Sequence, residues 1–100
     1  MHQPPTGLFC SSDVLACGAI AAARERGLYV PEDISIIGFD DIEIAAYVVP
    51  GLTTVRQNRA EIGLTCAELL LKMLDGQNVR PETVRIPTQL IIRNSCRRAT

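Results

Sequence analysis

The 100-residue chain has no tryptophan, a single histidine and only 4% aromatic residues. So few planar side chains exclude a base-stacking platform for single-stranded nucleic acid. An excess of one charge is missing too. Ten basic residues stand against eleven acidic ones, for a formal net charge of −1, so the basic surplus that a phosphate backbone attracts is absent. No apolar run nears the ~20 residues that a membrane-crossing helix needs, and no membrane partner is expected. The opening MHQPPTG has no charged-then-apolar leader pattern. The four cysteines, Cys10, Cys17, Cys66 and Cys96, show no C-x-x-C spacing, and the one histidine is His2. Zinc is therefore not expected, nor is any cofactor. Cys10, Cys17 and Cys66 lie in apolar patterns where buried free thiols are common. Four cysteines could also form two bridges, but a reducing cytoplasm is the expected compartment.

What is present is a globular composition, 47% hydrophobic and 21% charged, of a length suited to one small domain. GLFC (7–10) reads as a short buried strand. Ser12 or Asp13 caps a helix that Gly27 stops. That helix is crowded with small residues, Ala16, Gly18, Ala19, Ala22 and Ala23, which allow close approach to a sheet. VPED is a turn, and ISIIGF (34–39) is a strand apolar on both faces, as a parallel strand covered by helices should be. Strand, helix and strand make a βαβ unit. IEIAAYVV (42–49) predicts one or two helical turns closed by Pro50 and Gly51, and LTTV (52–55) a short strand. Asn58 and Glu61 have capping-box spacing. They open a second helix whose stripe is Ile62, Cys66, Leu69, Leu70 and Met73, ended by Gly76. NVRPET is a polar loop, and VRIPTQLIIR is extended, with Pro87 interrupting it.

The chemistry concentrates where strands end. In an open parallel sheet, ligands bind beyond the carboxyl ends of the strands. Right-handed βαβ connection brings Cys10–Ser11–Ser12–Asp13 and Asp40–Asp41 to one edge. Ser12 offers a hydroxyl, the helix start offers free N–H groups, and Asp40 offers two acceptor oxygens. The set suits a neutral, hydroxyl-rich ligand, with Asp40 bridging adjacent hydroxyls. The plainer alternative is that Ser12, Asp13 and the acidic pair only cap turns and helices.

GLFCSSDVLACGAIAAARERGLYVPEDISIIGFDDIEIAAYVVPGLTTVRQ, with LIIRNSC near the end, resembles the C-terminal part of the effector-binding core of LacI/GalR-type transcriptional repressors. The markers are SSD before the small-residue helix, GLYVPEDISIIGFDD, and LTTVRQ, in order and at family spacing. The resemblance implies an α/β fold: part of the doubly wound parallel sheet of type I periplasmic-binding-protein-like domains, truncated. It implies a sensor for a small sugar or related polyol, no enzymatic activity, a homodimer or higher oligomer, and DNA contact only through an N-terminal headpiece that this sequence lacks. By resemblance Asp40 is an effector ligand, Ser12 lines the same cleft, Gln57 lies at the crossing between subdomains and can reach ligand, and Asp13 is structural with a supporting role at the ligand. Asp41 is expected as a turn or cap residue. The dimer interface is expected at Val14, Cys17 and Ile20 on the first helix and at Ile44, Tyr47 and Val48 after the acidic pair. The expected organisation is a tail over 1–6, part of a C-terminal subdomain over 7–56, a helix and strand of the N-terminal subdomain over 57–87, and a return strand and tail over 88–100.

Three other classes fit less well. An exported sugar-binding protein shares the fold, but four cysteines argue against it. A phosphoacceptor receiver needs a lysine at a strand end, and the only lysine, Lys72, sits deep in a helix. A hydrolase built on Ser11 or Ser12 has no histidine but His2 to activate it. A free-standing assembly module without ligand is the remaining competitor.

Overall fold

The computed structural model describes residues 3–77 and 83–99. The elements in chain order are β1 (Gly7–Phe9), α1 (Asp13–Glu25), β2 (Ser35–Ile37), a 3-10 turn at Glu43–Ala46, β3 (Thr54–Gln57), α2 (Arg59–Leu74) and β4 (Thr88–Ile91). The chain divides into two compact units, Met1–Arg56 with Gln89–Thr100, and Gln57–Thr88.

In the first unit β1 and β2 pair in parallel with Leu8 opposite Ile36. Single parallel bridges, Ile37 to Thr53 and Asp40 to Arg56, carry the pairing on to the β3 segment, and β3 pairs with β4. Thr6, expected in a tail, already belongs to the fold, because its carbonyl accepts from Ser35 N at 2.8 Å. α1 connects β1 to β2. Ser12 caps it, with Leu15 N donating to the Ser12 hydroxyl at 3.2 Å, and Gly27 takes φ +76° beyond its end, a conformation glycine adopts without steric cost.

The small residues of α1 do what their size allows. Ala16 and Ala23 are buried against the sheet with Ile20 one turn between them. The core joins Cys10, Ala16, Ile20, Ile36, Ala45 and Leu52. β3 begins two residues later than the LTTV pattern predicts. Leu52 and Thr53 are held individually instead: Leu52 N donates to Ala45 O at 2.9 Å and Thr53 N to Ser95 Oγ at 2.8 Å.

In the second unit α2 starts as its capping box predicts. Asn58 Oδ1 accepts from Glu61 N at 3.0 Å, and Asn58 Nδ2 donates to Glu61 Oε2 at 3.1 Å. Gly76 follows the helix at φ +76°. No residue of α2 is buried. Residues 83–87 form no strand; Pro87 has no N–H to give a ladder, and β4 begins just after it. Most of the expected NVRPET loop and His2 lie outside the described residues. All four cysteines are free thiols. Among the described residues no helix is long and apolar enough to cross a membrane.

Candidate functional site at the carboxyl edge of the sheet

The segments that follow β1 and β2 are tied through the backbone to β2, to each other and to β3. Cys10 N donates to Ile37 O at 2.9 Å, Asp13 N to Phe39 O at 3.1 Å, and Asp40 N to Val55 O at 2.8 Å. Ser12, Asp13, Asp40 and Asp41 are thereby drawn to one edge.

Asp13 is fully buried. Ser12 already caps the helix, so the Asp13 side chain turns inward. Its Oδ1 accepts from the Thr54 hydroxyl at 2.5 Å and its Oδ2 from Ile42 N at 2.8 Å. A buried carboxylate is tolerated when its oxygens find donors, and the N-terminal turn of α1 adds a favourable dipole. Both oxygens therefore face protein donors, and the structural role is the one this geometry expresses. The fit explains Gly38. A Cβ there would come 2.3 Å from Asp13 Oδ1 and 3.0 Å from Leu52 Cδ2, so the glycine ahead of the acidic pair makes room for Asp13.

The acidic pair itself is conformationally unusual. Asp40 has φ +123° and Asp41 φ +57°. The second value lies in the left-handed well that aspartate visits. The first lies outside it, where a side chain costs on the order of 1–3 kcal/mol unless the surroundings compensate. The Asp41 side chain is only 6% exposed and faces two arginines. Arg56 Nε donates to its Oδ2 at 2.7 Å, and Arg93 Nη2 stands 2.9 Å from Oδ1 as an ion pair without aligned hydrogen-bond geometry. Burial pushes the Asp41 carboxyl up, but the Arg56 hydrogen bond and the Arg93 guanidinium outweigh it and hold it below the ordinary carboxylate value. Arg93 also donates from Nη1 to Leu52 O at 2.8 Å and from its backbone N to Thr53 Oγ1 at 2.9 Å. Asp41, expected as a turn or cap residue, is the centre of a two-arginine clamp.

Of the expected ligand residues, Ser12 and Asp40 are partly exposed at this edge and Asp13 is enclosed beneath it. Gln57 ends β3 and is the first residue of the second unit. The expected interface residues divide. Val14, Ile44 and Tyr47 are largely exposed, and Cys17 and Val48 are partly buried. Ile20, one turn from both Ala16 and Ala23, points into the unit's own core and is 6% exposed. Its edge still borders a hollow of about 180 Å³ with Cys17, Arg24, Val48 and Val49. Arg24 Nη2 spans that region, donating to Val49 O at 2.7 Å.

Sequence reasoning missed the polar pins under the site. Thr54 and Ser95 are fully buried, and the Ser95 hydroxyl donates to Ile36 O at 2.5 Å while accepting from Thr53 N. The signal was available: two threonines where a buried strand would favour valine imply that their hydroxyls have partners.

Comparison with known proteins matches this architecture. Residues 1–96 match the family described as periplasmic binding protein-like domain, and the chain belongs to it. It is 50% identical over 97 residues to the HTH-type transcriptional repressor CytR of Escherichia coli (strain K12), covering 97% of this chain and 28% of that protein. Among solved structures, the LacI family transcriptional regulator from Enterococcus faecium with bound ribose matches with TM-score 0.80 and 38% identity, over 95% of this chain and 35% of that one. The lac repressor dimer bound to operator and the anti-inducer ONPF matches with TM-score 0.83 and 36% identity, over 92% and 32%. These relatives bear out the LacI/GalR resemblance and the periplasmic-binding-protein-like α/β fold. They are named as repressors and regulators, not as enzymes. The chain spans about three-tenths of the length of the curated relatives it matches.

Proposed function

We propose that this chain is part of the effector-sensing core of a cytoplasmic LacI/GalR-type transcriptional repressor, and that its carboxyl sheet edge takes a sugar or related polyol. The observation that carries the reading is Asp40, held at φ +123° where parallel strands end. A costly backbone conformation kept at a ligand-bearing edge fits a carboxylate whose placement matters more than local stability. Asp40 accepts hydrogen bonds from two neighbouring hydroxyls, and the Ser12 hydroxyl, already accepting from Leu15 N, can still donate to a third oxygen. Gln57 has a part in binding by family resemblance. The bound ribose in the Enterococcus faecium regulator supports the ligand class. Operator contact belongs to an N-terminal headpiece of the kind such repressors carry.

Calorimetry across a panel of sugars and polyols that includes D-ribose tests this. Asp40→Asn lowers affinity tenfold or more, as expected for losing hydrogen bonds to a charged acceptor worth about 1.5–3 kcal/mol. An affinity unchanged by Asp40→Asn rejects the assignment.

The same reading makes the chain a homodimer through the α1 face and the segment after the acidic pair. The exposure of Val14, Ile44 and Tyr47 and the hollow lined by Cys17 and Val48 support it, because a two-fold contact between such faces is self-complementary. Light scattering at micromolar concentration gives a dimer mass that Ile44→Asp reduces; a monodisperse monomer contradicts it.

A further inference from the structure

Asp41 is assigned no contact with ligand, yet its carboxylate is held by two guanidiniums. The turn that carries both is fixed on each side. Asp13 N donates to Phe39 O before it, and Ile42 N donates to Asp13 Oδ2 after it. Between those points Asp40 N donates to Val55 O at 2.8 Å, and the backbone of Asp40 bridges Arg56. Arg56 is also the residue whose Nε reaches Asp41 Oδ2 at 2.7 Å. Neighbouring residues of β3 therefore hold the two aspartates, Val55 through its carbonyl to the Asp40 amide and Arg56 through its side chain to Asp41. Arg93, tied to Leu52 and Thr53, faces the other carboxylate oxygen of Asp41 at 2.9 Å. Two successive L-residues at positive φ persist only where their surroundings over-determine them, and this clamp acts on the turn directly through the side chain of Asp41.

We infer that Asp41 is the positioning residue for Asp40: clamped between Arg56 and Arg93, it locks the positive-φ turn that presents the Asp40 carboxylate. The functional meaning of this lock rests on Asp40 being a ligand residue, but the lock itself can be measured without ligand. An asparagine at Asp41 keeps the size and loses the charge that both guanidiniums pair with. The turn then samples other conformations, and the Asp40 amide loses its bond to Val55.

The test is amide hydrogen exchange on the full chain, comparing Asp40 N–H with Gly38 N–H. The Gly38 amide donates to Thr53 O at 3.0 Å two residues earlier and reports loss of the fold rather than of the turn. Asp41→Asn is expected to speed exchange at Asp40 at least tenfold more than at Gly38. Arg56→Gln, an exposed change that spares the core if Asp41→Asn does not fold, shows the same asymmetry, and Arg56→Lys restores much of the protection. Equal acceleration at both amides, or none at Asp40, overturns the inference. D-ribose affinity is read separately: Asp41→Asn weakens it about tenfold if Asp40 is a ligand residue. If Asp40→Asn leaves ribose affinity unchanged, the ligand reading fails, and the exchange asymmetry still decides the lock.

Discussion

α1 and α2 are built with the same local devices and end in different circumstances. Each has a side-chain cap, Ser12 to Leu15 N and Asn58 to Glu61 N. Each has an acidic residue in its first turn and a basic one in its last, Asp13 and Arg24 in α1, Glu61 and Lys72 in α2. α1 buries Asp13, Ala16, Ile20 and Ala23, whereas the longer α2 buries none. Capping and dipole complementarity are satisfied within one turn, so both helices form. Burial needs a sheet at contact distance, and only α1 has one within its unit. α2 keeps Leu64, Leu70, Met73 and Leu74 exposed, and Ile62, Cys66 and Leu69 border an open hollow of about 370 Å³ with Val84 and Ile86.

Substitutions sharpen the contrast. The largest effect is expected at Asp13, the buried pin of the first unit. Asp13→Ala leaves the Thr54 hydroxyl and Ile42 N without an acceptor and costs about 4 kcal/mol, since each stranded buried donor costs roughly 1–3; urea unfolding followed by helix signal checks it. Next come matched truncations of the two helices. Ile20→Ala in α1 costs about 3 kcal/mol, whereas Leu70→Ala in α2 changes stability by less than about 0.5 kcal/mol. Equal costs would erase the distinction between the units.

A smaller effect follows from pH. The Asp41 carboxyl sits below its ordinary value in the folded chain, so its contribution is complete above the unfolded value near ~3.9. It is lost as pH falls through the lower folded value. Wild type should exceed Asp41→Asn by about 2 kcal/mol at neutral pH, and the gap should close on acidification below pH ~4. A gap that persists at the lowest pH would mean that Asp41 acts through shape and not through charge.

The parts of the fold legible in the sequence were those set locally. The cap and glycine signals bracketed α1 and α2 to within a residue or two, and the two-sided apolar pattern of ISIIGF located β2. The acidic pair after Gly38 marked the edge where the candidate site lies. What could not be read was anything that depends on which distant residues meet. Arg93 is 52 positions from Asp41 in the sequence, and no spacing rule links them. Thr53, Thr54 and Ser95 read as ordinary strand residues because their partners, Arg93, Asp13 and Ile36, come from other elements. Ile20 looked as free as Cys17 because helical periodicity gives a face but not the neighbour that covers it.

The central claim is that a polyol ligand sits at Asp40. Amide shift mapping during a D-ribose titration of the full chain tests it directly. The resonances of Ser12 and Asp40 are expected to move first and furthest, and Asp40→Asn is expected to abolish the movement. Shifts centred instead on Leu28, Tyr29 and Val30, which border the separate hollow at the end of α1, would contradict it.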